Sequence, residues 1–511
     1  MTDEQIPAPR QAVLAMSPDQ FRAIGHGLVD TLADFLADLP NRPVTGDQMA
    51  AALRALLPAG GIPEQGVPAD ALLSDAARLL IDNSLFNGHP RFFGYITAGA
   101  APIGMLAELL AATINANVGS ATLAPVASAI EEQTVRWVAE LMGYPADCGG
   151  LLVSGGNMAN IVAFFAARRA RADWDLRQHG VSAGPKLLVY ASTETHTWLH
   201  KAADLAGIGT DAIRWVPTAS DGRLDTTGLA ARIASDRDNG GQPFLLVGTA
   251  GTVATGAVDP LPELARIARD QRMWFHVDGA YGGVAVSLLE TGDASLVAPD
   301  LAGLRLADSI ALDPHKWLYA PLEAGCVLVR RAEDLRDAFS YKPSYYRFDD
   351  DAEQPLPNYY EYGPQNSRGF RALKVWLQLR HAGRAGYRRM MADDIRLARR
   401  LESRVRASDV LALGPGGLSI ATFRYVPQSG PQDGARPEWL DALNTELLDR
   451  LQRGGEAFVS NAVIDGCFWL RACIVNFRTE AVDIDALVRL VERIGGEITA
   501  AGFALADPSV R

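Results

Sequence analysis

The sequence predicts an α/β fold: a seven-stranded, mostly parallel sheet in a large domain, preceded by a helical segment and followed by a small α+β domain. Three observations predict it. Short apolar runs recur between about residues 86 and 384, most of them separated by helical stretches or turn-rich links. Each run is almost continuously apolar, as strands covered on both faces are. Beyond about residue 385 the texture changes to long charged helices between isolated strands.

Taken in order, residues 1–85 read as helical, with amphipathic runs at 18–38 and 69–84 broken by Pro40, Pro43 and the Pro58–Pro68 region. So short a segment has no evident core of its own and is expected to pack on something else, such as a second subunit. The stretch from Gly99 to Val118 is the most apolar, but Glu108 and Asn115 interrupt it. It is predicted to be a buried helix rather than a membrane span of ~20 apolar residues. The seven strands are expected at Leu151–Ser154, Leu187–Tyr190, Ile213–Val216, Phe244–Gly248, Trp274–Asp278, Ser309–Leu312 and Cys326–Arg330. In the last part, helices are expected at 390–407, 437–453 and 483–499, with strands near 419–425, 456–460 and 468–477. The expected divisions are therefore 1–85, 86–384 and 385–511.

Composition narrows the function. At 511 residues the chain is too long for one ordinary core, and 48% hydrophobic with 21% charged residues is the balance of a soluble globular protein. A net charge of −12 argues against nucleic acid or an anionic membrane as partner. The first residues lack the basic start and apolar run of a secretory signal. Cys148, Cys326, Cys467 and Cys473 make neither a metal-ligand spacing nor a disulfide framework, so a cytoplasmic location and no metal are expected.

Ligands of open α/β sheets bind at the carboxyl ends of strands. Four places there carry chemistry. Ser154-Gly155-Gly156-Asn157 follows a strand and opens a helix, where glycines let backbone N–H groups approach a phosphate; alternatively it is a plain strand–helix turn. Thr193-Glu194-Thr195-His196 places an imidazole where it can stack on a flat ring or move a proton, although a lone histidine is more often structural. His200 belongs to the surface of the following helix. Asp278 ends a strand and can meet a protonated ring nitrogen, or it is a turn or capping aspartate. Lys316, in Asp313-Pro314-His315-Lys316-Trp317, is placed to be a Schiff-base nucleophile, or to snorkel from a core edge. Each signal is modest alone. Together, in this order, they supply the four contacts that pyridoxal phosphate (PLP) needs: phosphate, ring face, ring nitrogen and aldehyde.

From about His89 to Phe477 the chain resembles the group II PLP-dependent amino acid decarboxylases, of fold type I. His89-Pro90-Arg91-Phe92-Phe93 is similar to a motif at the start of that family's large domain, and Asp278-Gly279-Ala280-Tyr281 to its Asp-x-Ala-Tyr segment. Asp313-Pro314-His315-Lys316-Trp317-Leu318 resembles its Asn-Pro-His-Lys-Trp-Leu signature with Asp313 in place of Asn, and Arg368–Lys374 resembles the segment after its mobile loop. The resemblance implies that Lys316 holds the cofactor, Asp278 binds the pyridine nitrogen, and His196 and Ala280 cover the two ring faces. It implies that Gly156 and Asn157 bind phosphate with His315 nearby, and that Thr252 lies close to the cofactor. Phe339–Tyr346 matches the family's mobile loop, and Tyr345 falls on its catalytic tyrosine. A homodimer with sites at the interface, wrapped by the N-terminal helices, is implied too.

The implied reaction is decarboxylation of an L-amino acid, with Tyr345 returning a proton to Cα, relayed through His196. Retaining both residues favours amine over aldehyde as product. Trp317 points to an aromatic substrate. Asn115-Ala116-Asn117 and Ala124-Pro125-Val126 are instead similar to the glutamate and sulfinoalanine branch, and Gly119 stands about where aromatic decarboxylases place a ring-contacting phenylalanine. Arg471 is a candidate for a substrate carboxylate but reads more simply as a structural strand residue. An aldehyde synthase on the same fold and a non-catalytic PLP-binding protein remain as alternatives.

Overall fold

In the computed structural model, seven of the apolar runs pair into one sheet. The structure describes residues 12–46, 50–58, 60–293, 295–341, 356–431 and 436–503. The strands are β1 (Phe92–Phe93), β2 (Gly149–Val153), β3 (Leu187–Ser192), β4 (Ile213–Val216), β5 (Gln242–Thr249), β6 (Trp274–Asp278), β7 (Ser309–Leu312), β8 (Gly325–Val329), β9 (Leu411–Leu413), β10 (Ile420–Tyr425), β11 (Phe458–Ile464) and β12 (Cys467–Cys473). The large sheet has the order β2-β8-β7-β6-β5-β3-β4, and β8 alone is antiparallel to its neighbours. Both faces are buried: along β3, Leu188 and Tyr190 join one apolar cluster while Leu187, Val189 and Ala191 join the other. That two-sided burial is why these strands read as continuous apolar runs.

The smaller sheet has the order β1-β11-β12-β10-β9. Phe92 and Phe93, expected in the large domain, pair in parallel with Phe458 and Val459 of this sheet instead. The short β1 finds its hydrogen-bond partners there, a long-range pairing that local pattern does not encode. The helix Ala372–Arg406 breaks its regular geometry at Gly383 (φ 63°, ψ 170°), next to the expected division at 384/385.

One expectation is corrected. The apolar stretch does form a helix, Pro102–Ile114, but only Gly104 and Ala107 are buried in it. Leu106 (56%), Leu109 (54%), Leu110 (49%) and Ile114 (65%) are exposed. Apolar composition signals a surface that avoids water, and among the described residues of one chain nothing covers this face. The helices Pro18–Asp38 and Ala69–Asn83 likewise contain no buried residue.

Behind β2 lies a fully buried ion pair. Arg368 donates to Glu131, to Val118 O at 3.1 Å and to Leu152 O at 2.6 Å, while Glu131 Oε1 accepts from the Leu152 N–H at 2.9 Å. Removing one partner strands a buried charge. Arg368→Met is therefore expected to destabilise the protein by about 3–5 kcal/mol. Replacing Glu131 by Gln in the same variant should recover part of the loss, as read from denaturant unfolding.

Candidate active site

Because β8 runs against its neighbours, β2 runs parallel to β3–β7, and the carboxyl ends of β2, β3, β6 and β7 share one edge of the sheet. The four reactive segments follow those ends. They open on a cavity of about 440 Å³, including its open mouth, whose lining includes Gly156, Asn157, His196, Asp278, Ala280 and Lys316. Six of the nine residues expected at the site are thus brought together. Thr252 and His315 stand just outside the lining, and Tyr345 lies outside the described residues.

After β2 the chain turns through Gly155 (φ 138°) into the helix Gly156–Arg171, whose first turn has no side-chain cap. A Cβ at Gly156 would come 2.5 Å from Asp313 Oδ2 and 3.0 Å from Ala280 Cβ. A Cβ at Gly325, where β8 begins, would come 2.4 Å from Gly155 C. Only glycines let these backbones approach, and the approach aims free N–H groups and the helix dipole at the cavity. His315 sits behind this turn, its Nδ1 at 2.7 Å from Ala324 O.

Asp278 is buried, and both its oxygens are held. Oδ2 accepts from Trp198 Nε1 at 2.8 Å and Oδ1 accepts from the Ala280 N–H at 3.1 Å. Beneath it, His276 Nε2 lies 2.7 Å from Asn160 Oδ1 and Nδ1 lies 2.8 Å from Ser309 Oγ. Burial pushes the His276 pKa down to about 4, so the ring is neutral at physiological pH. Asn160, which contacts it, also lines the cavity.

Lys316 lies in a tight turn after β7, its N–H donating to Asp313 O at 2.9 Å. Its Nζ is 2.9 Å from Asp313 Oδ2, and the other oxygen of Asp313 is buried without a hydrogen bond among the described residues, 3.6 Å from His315 Nδ1. His196 stands at the mouth, with Trp198 N–H donating to its Nδ1 at 3.2 Å. Desolvation lowers its pKa and Lys316 adds to this, while Asp278 opposes it. The balance favours the neutral imidazole. His200, as expected, is exposed and lies against Trp215.

Thr252 is not among the lining residues: its Oγ1 is 3.0 Å from Thr255 Oγ1, and its neighbours Gly251 and Val253 form part of the lining. Arg471 is buried on β12, donating to Tyr95 O and Ser460 Oγ, both at 3.1 Å. Gly119 is packed against the Asn366 backbone, where a Cβ would come 2.0 Å from Asn366 O. Trp317 is wholly buried, stacked on Tyr281 with ring centroids 5.0 Å apart. Sequence reasoning missed Trp198, Asn160 and Ile96, another lining residue. Trp198 follows His196 by two positions, but an indole directed at an acid 80 residues away leaves no local pattern.

The residues suit PLP on the structure's own terms. An uncapped helix start, a buried carboxylate, a lysine, and the side chains of His196 and Ala280 face one cavity, and Thr249 Oγ1 on its lining is buried without a hydrogen-bond partner among the described residues. A family model described as the pyridoxal-dependent decarboxylase conserved domain matches residues 51–413. The chain belongs to this family. It is 31% identical to an aromatic-L-amino-acid decarboxylase of Bacillus atrophaeus, over 95% of this chain and 98% of that one. It is 29% identical to a phenylacetaldehyde synthase of a Rosa hybrid cultivar, over 94% of each. Its fold is similar to that of Oryza sativa TDC solved with PLP and tryptamine (TM-score 0.87, 27% identity, 96% of this chain and 100% of that one). The protein is thus a PLP-dependent decarboxylase of fold type I, and the resemblance drawn from its motifs holds.

Trp198→Phe keeps an aromatic ring but removes the donor to Asp278. A hydrogen bond to a charged group contributes about 1.5–3 kcal/mol. Cofactor retention on dialysis, followed by visible absorbance, should therefore weaken by roughly tenfold or more; wild-type retention would show that the indole does not support Asp278.

Proposed function

We propose that this decarboxylase acts on an aromatic L-amino acid, releasing CO₂ and the corresponding amine. The character of the cavity supports the reading. Ile96, Val253 and Tyr281 supply apolar surface, Glu194 is acidic, and Lys316 is the sole cationic side chain among the described lining residues. An acidic substrate side chain would need a positive partner there. Arg471 does not serve, being tied to the smaller sheet. Trp317 supports the aromatic reading by family likeness only, since its ring is buried away from the lining.

In this reading Lys316 carries the cofactor covalently, Asp278 keeps its ring nitrogen protonated, and His196 and Ala280 cover its two faces. Gly156 and Asn157 hold the phosphate through the uncapped helix start, with His315 supporting the turn, and Thr252 keeps Gly251 and Val253 in place. Bound PLP supplies the electron sink for the pair left at Cα when CO₂ departs. His196 and the walls exclude water, and Tyr345 delivers the proton to Cα through His196.

The protein is further proposed to be a cytoplasmic homodimer. The exposed apolar face of the helix Pro102–Ile114 and the unburied N-terminal helices support dimerisation. Free cysteines, and the lack among the described residues of any helix long and apolar enough to cross a membrane, accord with the location. Light scattering after size exclusion should give twice the chain mass, and Leu106→Asp with Leu110→Asp should shift it towards one chain. A monomeric wild type would remove the dimer.

A panel of aromatic, acidic and other amino acids assayed for CO₂ release tests the substrate class; faster turnover of glutamate or cysteine sulfinate than of any aromatic would overturn it. Amine is the expected product. Tyr345→Phe should keep the cofactor and divert product, by reaction of the unprotonated carbanion with dissolved dioxygen, towards aldehyde, with ammonia and peroxide. If amine still dominates, Tyr345 is not the donor.

A further inference from the structure

Asp394 is a buried titratable group that the proposed chemistry leaves unused. It projects from the helix Ala372–Arg406, and its Oδ2 accepts from Trp317 Nε1 at 2.8 Å and Tyr319 OH at 2.7 Å. Asn476, beyond β12, also lies near the same carboxylate. One acid therefore ties the lysine turn to the long helix. Tyr319 needs such a tie. Its φ of 55° lies in the left-handed region, which is costly for a bulky residue. Gln378 Nε2 donates to its carbonyl at 2.9 Å, and its ring lies 5.4 Å edge-on from Phe477. Trp317, held by the same carboxylate, stacks on Tyr281, the residue after Ala280. An apolar side chain would fill the Asp394 position without the cost of burying a carboxyl. What the carboxyl adds is directional attachment of the residues one and three positions beyond Lys316.

We propose that Asp394 is a positioning residue for Lys316, fixing the turn from Asp313 to Ala320 through Trp317 and Tyr319 so that Nζ stays directed into the cavity. This rests on Lys316 being the cofactor anchor. Burial raises the Asp394 pKa to about 7, against the lowering effect of its donors. Of the other titratable groups facing it, Tyr319 and Tyr387 are pushed up by burial and Cys473 is pushed up to about 11; Asp393 is exposed and paired with Arg396. The tyrosines and the thiol keep their protons near neutrality, so Asp394 is the buried member of this set that changes charge there. Because its folded pKa lies above the ordinary carboxyl value, its contribution to stability is present in acid and is lost as pH rises towards about 7.

The test uses Asp394→Asn holoenzyme. Expected are a kcat lower by about tenfold to a hundredfold with little change in KM, and a kcat–pH profile and cofactor absorbance that no longer respond to an ionisation near 7. Tyr319→Phe removes one donor and keeps the acid, so it should lower kcat less and retain that ionisation. An Asp394→Asn enzyme with a lower Tm but wild-type kcat, pH profile and absorbance would overturn the proposal. Should that variant not fold, wild-type kcat and absorbance in Tyr319→Phe would overturn it equally. Lys316→Ala separates the two readings: a native absorbance band retained there removes the anchor itself. A band lost there, beside unaltered Asp394→Asn behaviour, removes only the role of Asp394.

Discussion

The active site depends on one topological constraint, the reversed direction of β8. Because β8 lies antiparallel between β2 and β7, β2 points the same way as the strands carrying His196, Asp278 and Lys316. The glycine turn after β2 then opens on the same cavity as the lysine. The fit is close enough that Gly155 and Gly325 touch backbone to backbone, and a side chain on Gly325 would drive them apart. The proposed anion site and nucleophile are thereby held in place by main chain rather than by flexible side chains, which is what orienting a rigid cofactor requires.

Around that frame each reactive group is held by a partner from another part of the chain. Trp198 and the Ala280 N–H fix Asp278. Asp394 fixes the two aromatics beside Lys316, and Tyr281, stacked on Trp317, is fixed in turn by a 2.6 Å contact between its hydroxyl and Ser419 Oγ. The smaller sheet is thus part of the site's support, since Ser419 immediately precedes β10. A neutral His276, joined to Asn160 and Ser309, keeps the layer beneath Asp278 free of competing charge.

Much of this was legible in the residues. The seven strands fall within a few positions of their predicted places because a strand buried on both faces must be apolar throughout. Lys316, Asp278, His196 and Gly156, which line one cavity, were legible as candidates because each ends or follows such a strand. The amphipathic runs at 18–38 and 69–84 form helices for the same kind of reason, periodicity. The helix Pro102–Ile114 was misplaced in the core because composition reports avoidance of water, not what provides the cover. Trp317 suggested substrate by its position in a motif, yet its ring packs behind the lysine.

By itself, then, the sequence determined the order of most strands and helices along the chain, the candidate residues that line the cavity, and the cofactor of the family. These are properties of local pattern and of side-chain chemistry at strand ends. Only the tertiary structure decided that Phe92 and Phe93 join the smaller sheet, that Trp198 donates to Asp278, and that Asp394 grips the lysine turn. Each of these depends on contacts between residues far apart in the chain. Such contacts are set by how strands pair and helices pack, and local spacing carries no record of them.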